Sequence, residues 1–312
     1  MVTYAVECEG LTKTFKSPQN RNGLKVLGNI TFKVKKGTAL AITGGNGSGK
    51  TTLLKVLATL YLPDGGSCKI LDLDLIKQAR DIQERIAFVS AGLDFQRKLT
   101  LRENLEFFAK VQGSSIEPAL RFLDEMNMGH IVDQRTETFS EGQKAITRLA
   151  IGLMKEHSEI LMLDEVTLGL DVTRKEEVID YLSKSIKKKT LLIVDHDSDV
   201  IERLCDQVLI LKPGGYVDTI LTVEQLLKSL PYSHEITAVP IRQLQDREVK
   251  EIWPHFLRNG GILKFYPINQ IQAERITNRL LKSNLMSSVQ TRKIDLNEYA
   301  IRYGQSSLSE LV

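Results

Sequence analysis

The string GGNGSGKT at 44–51 restricts this chain more than any other feature. It satisfies G-x-x-x-x-G-K-[ST], follows an apolar run at 38–43 that reads as a buried strand, and opens a helical pattern over 50–60. The residue types explain the spacing. Gly44, Gly47 and Gly49 reach backbone angles that a side chain would forbid, so successive N–H groups can turn inward toward phosphate oxygens, with Gly45, Asn46 and Ser48 completing the loop. A helix beginning at Lys50 aims the positive end of its dipole at the same place. Lys50 adds a full charge for β- and γ-phosphates, and Thr51 offers a hydroxyl to Mg²⁺, with Thr52 the lesser candidate.

A second apolar run, ILMLDE at 160–165, reads as a strand ending in two carboxylates. Strand alternation points Asp164 and Glu165 in different directions, so they can do different work. Asp164 suits Mg²⁺, through water, and Glu165 suits a base that polarises an attacking water. A third segment, FSEGQ at 139–143, opens a helical pattern that runs to about 157. Ser140 is a candidate N-cap, and Gly142 permits close backbone approach. Alone it reads as an ordinary helix cap. A helix N-terminus is also an anion site, however, and one nucleotide on one chain has no need of two. Two chains arranged head to tail do.

Strand and helix patterns alternate through these motifs, with further strands expected at 86–89 and 191–194, a turn at Pro63-Asp64-Gly65-Gly66, and a mainly helical stretch over 102–153. The alternation predicts an α/β domain with a mostly parallel sheet. After about 221 the signals change. Pro231 and Pro240 punctuate the chain, a short helix over 246–253 must stop before Pro254, and a strand at 262–266, a helix at 270–281 and a strand at 287–290 predict a small α+β domain. The expected division is 1–221 for the nucleotide domain, 222–235 for a linker and 236–312 for the accessory domain.

At 312 residues the chain has room for one large domain and one small one. Its 42% hydrophobic and 26% charged residues argue for a globular protein rather than a disordered one. A net charge of +3, with Lys and Arg interleaved with Asp and Glu, argues against nucleic acid. The one basic run, Lys187-Lys188-Lys189, reads as a solvated helix end. Cys8, Cys68 and Cys205 form no C-x-x-C pair and are odd in number, so neither a zinc site nor a disulfide is expected, and a reducing compartment is. Glu7 and Glu9 interrupt what would be the apolar part of a secretory signal, and no apolar run is long enough to span a bilayer.

In these motifs and their order, the sequence resembles the ATP-binding-cassette (ABC) ATPases over about residues 1–220. Seven features fall in the family's order: Phe15 in LTKTF, similar to the aromatic that stacks on adenine; the loop at 44–51; KLTLRENL at 98–105; FSEGQ; ILMLDE; Gly169-Leu170-Asp171, similar to the loop that meets the opposite subunit; and His196 after the strand at 191–194. The resemblance implies a P-loop NTPase core with a helical subdomain at about 90–155. It further implies a dimer around two ATP, each held by the 44–51 loop of one chain and by Ser140, Glu141, Gly142 and Gln143 of the other. His196 would then help Glu165 hold the attacking water at the γ-phosphate, and Asp171 would lie in the dimer loop.

ATP and Mg²⁺ are the implied cofactors, and hydrolysis to ADP and phosphate the implied reaction. The implied partners are a second ABC ATPase subunit and an integral-membrane permease docking on the loop at 90–100, which places the chain on the cytoplasmic face of the cell membrane. KLTLRENLEFFAK, and IDLNEY at 294–299, resemble the class that exports drugs, lipids or polysaccharides. The sequence departs from the family at four places. Ala91 stands where a Mg²⁺-contacting Gln is usual, with Gln96 a possible substitute; Glu141, Val166 and Asp195 stand where Gly or a basic residue, Pro, and Ser or Thr are common. Two other readings are open to a chain with these motifs. A soluble ABC ATPase of translation or DNA repair would usually carry two cassettes, zinc motifs or a coiled-coil insertion, and none is seen. A binding-only subunit is disfavoured by intact Glu165 and His196.

Overall fold

The computed structural model describes residues 3–17, 20–186, 189–229 and 232–293. Pro231, Lys187, Lys188 and the IDLNEY segment at 294–299 lie outside them. The chain forms two compact units that divide between Val223 and Glu224.

In the first unit, β1 (Tyr4–Ser17) and β2 (Asn20–Lys35) are followed by β3 (Ala39–Gly44), α1 (Lys50–Leu57), β4 (Gly65–Ile70), β5 (Leu73–Asp74), α2 (Ala79–Arg85) and β6 (Ile86–Ser90). Three helices come next: α3 (Leu101–Gln112), α4 (Glu117–Glu125) and α5 (Glu141–Leu153). Then β7 (Ile160–Asp164), α6 (Val172–Ser185), β8 (Thr190–Val194), α7 (Ser198–Leu204), β9 (Gln207–Lys212) and β10 (Tyr216–Thr222) complete the unit. The ten strands form one sheet in the order β5-β4-β1-β2-β10-β9-β3-β8-β7-β6.

The strands β9, β3, β8, β7 and β6 pair in parallel with one another, and β10 meets β2 in parallel at a single residue pair; β1, β2, β4 and β5 pair antiparallel among themselves, as does β9 with β10. The expectation of a mostly parallel sheet is therefore corrected to five of nine neighbouring pairs, gathered mainly at one side of the sheet. The reason lies in the connections. Parallel neighbours need long helical crossovers, which follow β3, β6, β7 and β8, whereas β1 and β2 are joined too closely for anything but antiparallel pairing. Cys8 and Cys68 face each other across β1 and β4 and are joined as a disulfide, a second correction. Motif spacing said nothing of strand register, which is what brings them together.

The parallel strands are buried on both faces, as the unbroken apolar runs of β7 and β8 require. Leu53, Leu54 and Leu57 of α1 are fully buried against this layer, and each such side chain stabilises the fold by about 1.5–3 kcal/mol. Two of the three helices after β6 carry side-chain caps at their N-termini. Thr100 and Glu103 form a capping box on α3, and Ser140 and Gln143 form one on α5. Near the other end of α5, a Cβ at Gly152 would stand 1.9 Å from Val89 Cγ2, so the absence of a side chain lets the helix backbone rest on β6.

The second unit opens with α8 (Val223–Ser229). It contains β11 (His234–Pro240), α9 (Asp246–Ile252), β12 (Leu257–Asn259), β13 (Ile262–Phe265), α10 (Gln270–Lys282) and β14 (Met286–Lys293). Its antiparallel sheet has the order β12-β13-β11-β14, the β-α-β-β-α-β arrangement of ferredoxin-like domains. Ile236, Val249, Leu263, Phe265, Ile276 and Leu280 form its core. Residues 222–235, expected as a linker, contain α8 and the start of β11. Among the described residues no helix is long and apolar enough to cross a membrane.

Candidate nucleotide site

The C-terminal ends of β3, β6, β7 and β8 line up, and the candidate residues gather there. Register places Ser90, Asp164 and Val194 side by side on β6, β7 and β8. Open α/β sheets bind ligands at this end of the strands. The loop 44–49 leaves β3 with Asn46 and Gly47 exposed at its tip and Ser48, Gly49 and Lys50 buried at its base. Gly44 has φ +143°, and a Cβ there would come within 2.3 Å of the Leu211 carbonyl. Gly49, at φ +97°, caps α1 without a side-chain hydrogen bond. The α1 N–H groups thus stay available to a ligand.

Lys50 folds back over this loop, donating from Nζ to the Gly44 and Gly45 carbonyls at 2.9 and 3.1 Å. Burial pulls its ammonium below the ordinary lysine range, against the opposing pull of Glu165 and Asp164. Thr51 Oγ1 donates to Asp164 Oδ1 at 3.0 Å, and Ser90 Oγ lies 3.4 Å from Asp164 Oδ2. Burial pushes the Asp164 carboxyl up while the Thr51 hydroxyl favours its charged form. Thr52 is half-buried.

Glu165 does not continue the strand. It turns into the left-handed region at φ +54°, donates from its N–H to the Val194 carbonyl at 2.8 Å, and brings Oε1 to 3.4 Å from His196 Nε2. Both side chains remain partly exposed, as groups that must meet a water and a ligand have to be.

The remaining candidates lie elsewhere. Phe15 is 37% exposed, edge-on to Tyr61 with ring centroids 5.4 Å apart. Ser140 Oγ accepts from the Gln143 N–H at 3.2 Å, and Gln143 Oε1 accepts from the Ser140 N–H at 2.9 Å. Glu141 is ion-paired with Lys144 at 2.7 Å, which holds its carboxyl below the usual range. Gly142 approaches Gly169 closely, and Asp171 caps α6 by accepting from the Arg174 N–H at 2.9 Å. The FSEGQ segment therefore sits against the Gly169–Asp171 loop of its own chain. No hydrogen bond among the described residues joins it to the 44–51 loop.

Ala91 reaches Asp164 only through its backbone, donating to the Asp164 carbonyl at 3.0 Å. Gln96 is bound into the helical subdomain, its N–H donating to Asn104 Oδ1 at 2.8 Å and its carbonyl accepting from Asn104 Nδ2 at 3.0 Å and Thr136 Oγ1 at 3.1 Å. It lines an open cleft of about 520 Å³ with Phe95, Arg97, Lys98, Phe107 and Phe108. Sequence reasoning missed Ser90, which looks unremarkable until strand register sets it beside Asp164. It also missed the partnership of Thr167 with Asp195, since Asp195 stood out only as a departure.

The set fits a magnesium nucleotide by one further test. Ser48 Oγ is buried at the base of the loop and makes no hydrogen bond, so a polar atom is held ready for a ligand. Residues 27–168 match the family model of the ABC transporter. A Nod factor export ATP-binding protein I of Burkholderia orbicola is 31% identical over 206 residues, 64% of this chain and 67% of that one.

The chain belongs to the ABC transporter ATP-binding family.

As a member it is an ATPase that converts ATP and water to ADP and phosphate. Methionine import ATP-binding protein MetN 4 of Oceanobacillus iheyensis is 28% identical to this ABC ATPase, over 74% of this chain and 72% of that one. The uncharacterized ABC transporter ATP-binding protein YcbN of Bacillus subtilis is 26% identical over 96% and 97%. Among solved structures, the post-hydrolysis dimer of the ATP-binding cassette MJ0796 bound to ADP and Pi matches the fold at a TM-score of 0.63 and 24% identity, over 70% of this chain and 98% of that one.

Proposed function

We propose that this ABC ATPase drives a separate membrane permease of the exporter class, hydrolysing ATP at a site shared between two cassettes. What carries the reading is the Glu165–His196 pair, 3.4 Å apart at the same strand ends as the Thr51–Asp164 bond. Such a pair polarises a water against a phosphate held by the 44–51 loop. Thr51 and Asp164 would hold Mg²⁺, which supplies charge neutralisation for the phosphates. Phe15 would stack on the base. Ser140, Glu141, Gly142 and Gln143 would face the nucleotide of the opposite subunit, with Asp171 in the dimer loop.

The cleft beside Gln96, lined by Phe95, Phe107, Arg97 and Lys98, supports docking of a permease segment on the 90–100 loop, at the cytoplasmic face of the membrane. The export direction is supported by relatives named for Nod factor export and for daunorubicin/doxorubicin resistance, the latter 28% identical over 220 residues. The substrate class we propose is accordingly a drug, lipid or polysaccharide.

The test is to purify the chain with the membrane protein that co-purifies with it, reconstitute both in inside-out vesicles, and supply magnesium and ATP outside. The expected result is ATP hydrolysis with accumulation of a lipophilic drug in the lumen. Efflux from preloaded vesicles would instead mark an importer, and no magnesium-dependent ATP binding would overturn the whole proposal.

A further inference from the structure

Two residues without an assigned role meet beside the Glu165–His196 pair. Thr167 and Asp195 are 7% and 4% exposed, and Thr167 Oγ1 donates to Asp195 Oδ2 at 2.7 Å. Asp195 Oδ1 accepts from the Asp197 N–H at 2.9 Å. Thr167 belongs to the tight turn that starts at Glu165, whose carbonyl accepts from the Leu168 N–H at 3.2 Å. Glu165 itself donates from its N–H to the Val194 carbonyl at 2.8 Å. Three consecutive residues at the end of β8 thus engage the turn after β7. Val194 holds the backbone of Glu165, Asp195 holds the side chain of Thr167, and His196 meets the side chain of Glu165.

This fastening answers a physical need. A side-chain-bearing residue at φ +54° sits in a sparsely populated, strained conformation, and it persists only where neighbouring structure over-determines it. A single backbone bond leaves the turn free to swing about that bond. A second tie two residues further on removes the swing. Burying a carboxylate to make that tie is itself costly, and Asp195 compensates with two short hydrogen bonds.

We propose that the Thr167–Asp195 hydrogen bond is a positioning device that fixes Glu165 against His196 for the hydrolytic step. It rests on the roles given to Glu165 and His196 above. Thr167 and Asp195 act through that pair and touch neither nucleotide nor water.

The experiment compares Thr167→Val, which keeps the shape and loses the hydroxyl, with Thr167→Ser, which keeps the hydroxyl and loses the methyl. Steady-state phosphate release, KM for ATP, and the thermal midpoint are recorded for both. Misplacing a catalytic group by an ångström costs up to about 100-fold in rate, so Thr167→Val should lose about 10- to 100-fold in kcat with KM for ATP kept, while Thr167→Ser retains most of the parent kcat. Equal kcat in Thr167→Val and parent, or equal loss in the Val and Ser variants, overturns the proposal. If Thr167→Val does not fold, Asp195→Ala serves instead. It removes the buried carboxylate and with it the bond to Thr167, so its kcat should fall with KM kept, and an unchanged kcat is equally fatal. Glu165→Gln is measured alongside. Normal turnover there removes the function assigned to Glu165, whereas loss there with a normal Thr167→Val removes only the positioning role.

Discussion

Asp164, at the wall of the nucleotide site, and Glu235, in the sheet of the second unit, are buried to similar depth, 4% and 2% exposed, yet keep different company. Asp164 has hydroxyl neighbours, Thr51 and Ser90, and burial pushes its carboxyl up. Burial would push Glu235 up as well. There, however, Tyr266 donates to Oε2 at 2.9 Å, Lys264 and Arg292 each donate to Oε1 at 3.1 Å, and the carboxyl is held at about 2 instead. The contrast separates a charge that the fold already satisfies from one that it leaves for a ligand to satisfy.

If that contrast is right, substitutions around Asp164 should cost function, and substitutions around Glu235 should cost stability. The largest effect is expected for Glu165→Gln, which should keep ATP binding and lose roughly 10²- to 10⁴-fold in turnover, the usual worth of a general base. Phosphate-release kinetics beside equilibrium nucleotide binding check it, and near-parental turnover would erase the functional half of the comparison. Next comes Lys50→Ala. A charge-assisted hydrogen bond is worth about 1.5–3 kcal/mol, so ATP affinity should fall at least about 10- to 100-fold with little change in the melting temperature. Titration with a fluorescent ATP analogue measures the first, and a large drop in melting temperature would mean that Lys50 is structural.

Smallest is Glu235→Gln, expected to destabilise the second unit by about 1–3 kcal/mol while ATP turnover stays at the parental level. Its pH dependence has a definite sign. The folded carboxyl is lowered from 4.5 to about 2, so its contribution is fully present above about pH 4.5 and is lost as the pH falls toward 2. Denaturant titrations across that window should converge for parent and variant at the acid end. A gap that stays constant would show that some other feature of Glu235, such as its shape, is responsible.

How much of this was legible in the sequence depended on whether a residue's job is local. The loop at 44–51 was readable because its glycines, Lys50 and Thr51 act within one turn of chain; Thr51 and Asp164 were each read as Mg²⁺ candidates, and their bond appears only with the sheet order that sets β3 and β7 two strands apart. Ser140 could be read as a cap because capping is decided within four residues. Ser90 and the Thr167–Asp195 bond were hidden, since each depends on which strands lie side by side. The hairpin of β1 and β2 was missed for another reason. Their register shifts repeatedly, at Cys8/Leu11 and Lys13/Thr14 among other places, and each shift breaks the alternation of apolar and polar residues that marks a strand. In the second unit, Pro240 read as punctuation, whereas it ends β11, where a missing N–H costs least.

The contact between Gly152 and Val89 gives α5 the geometry of a lever on a fulcrum. The helix rests, backbone on side chain, where β6 is one residue from Ser90, and its far end carries Ser140 and Gln143. At about 1.5 Å of rise per residue the two ends are about 18 Å apart, so a tilt of about 5° at the pivot swings Ser140 through about 1.5 Å. Half a hydrogen-bond length at the tip thus corresponds to a barely perceptible roll at the fulcrum, and any side chain placed at 152 would jam it.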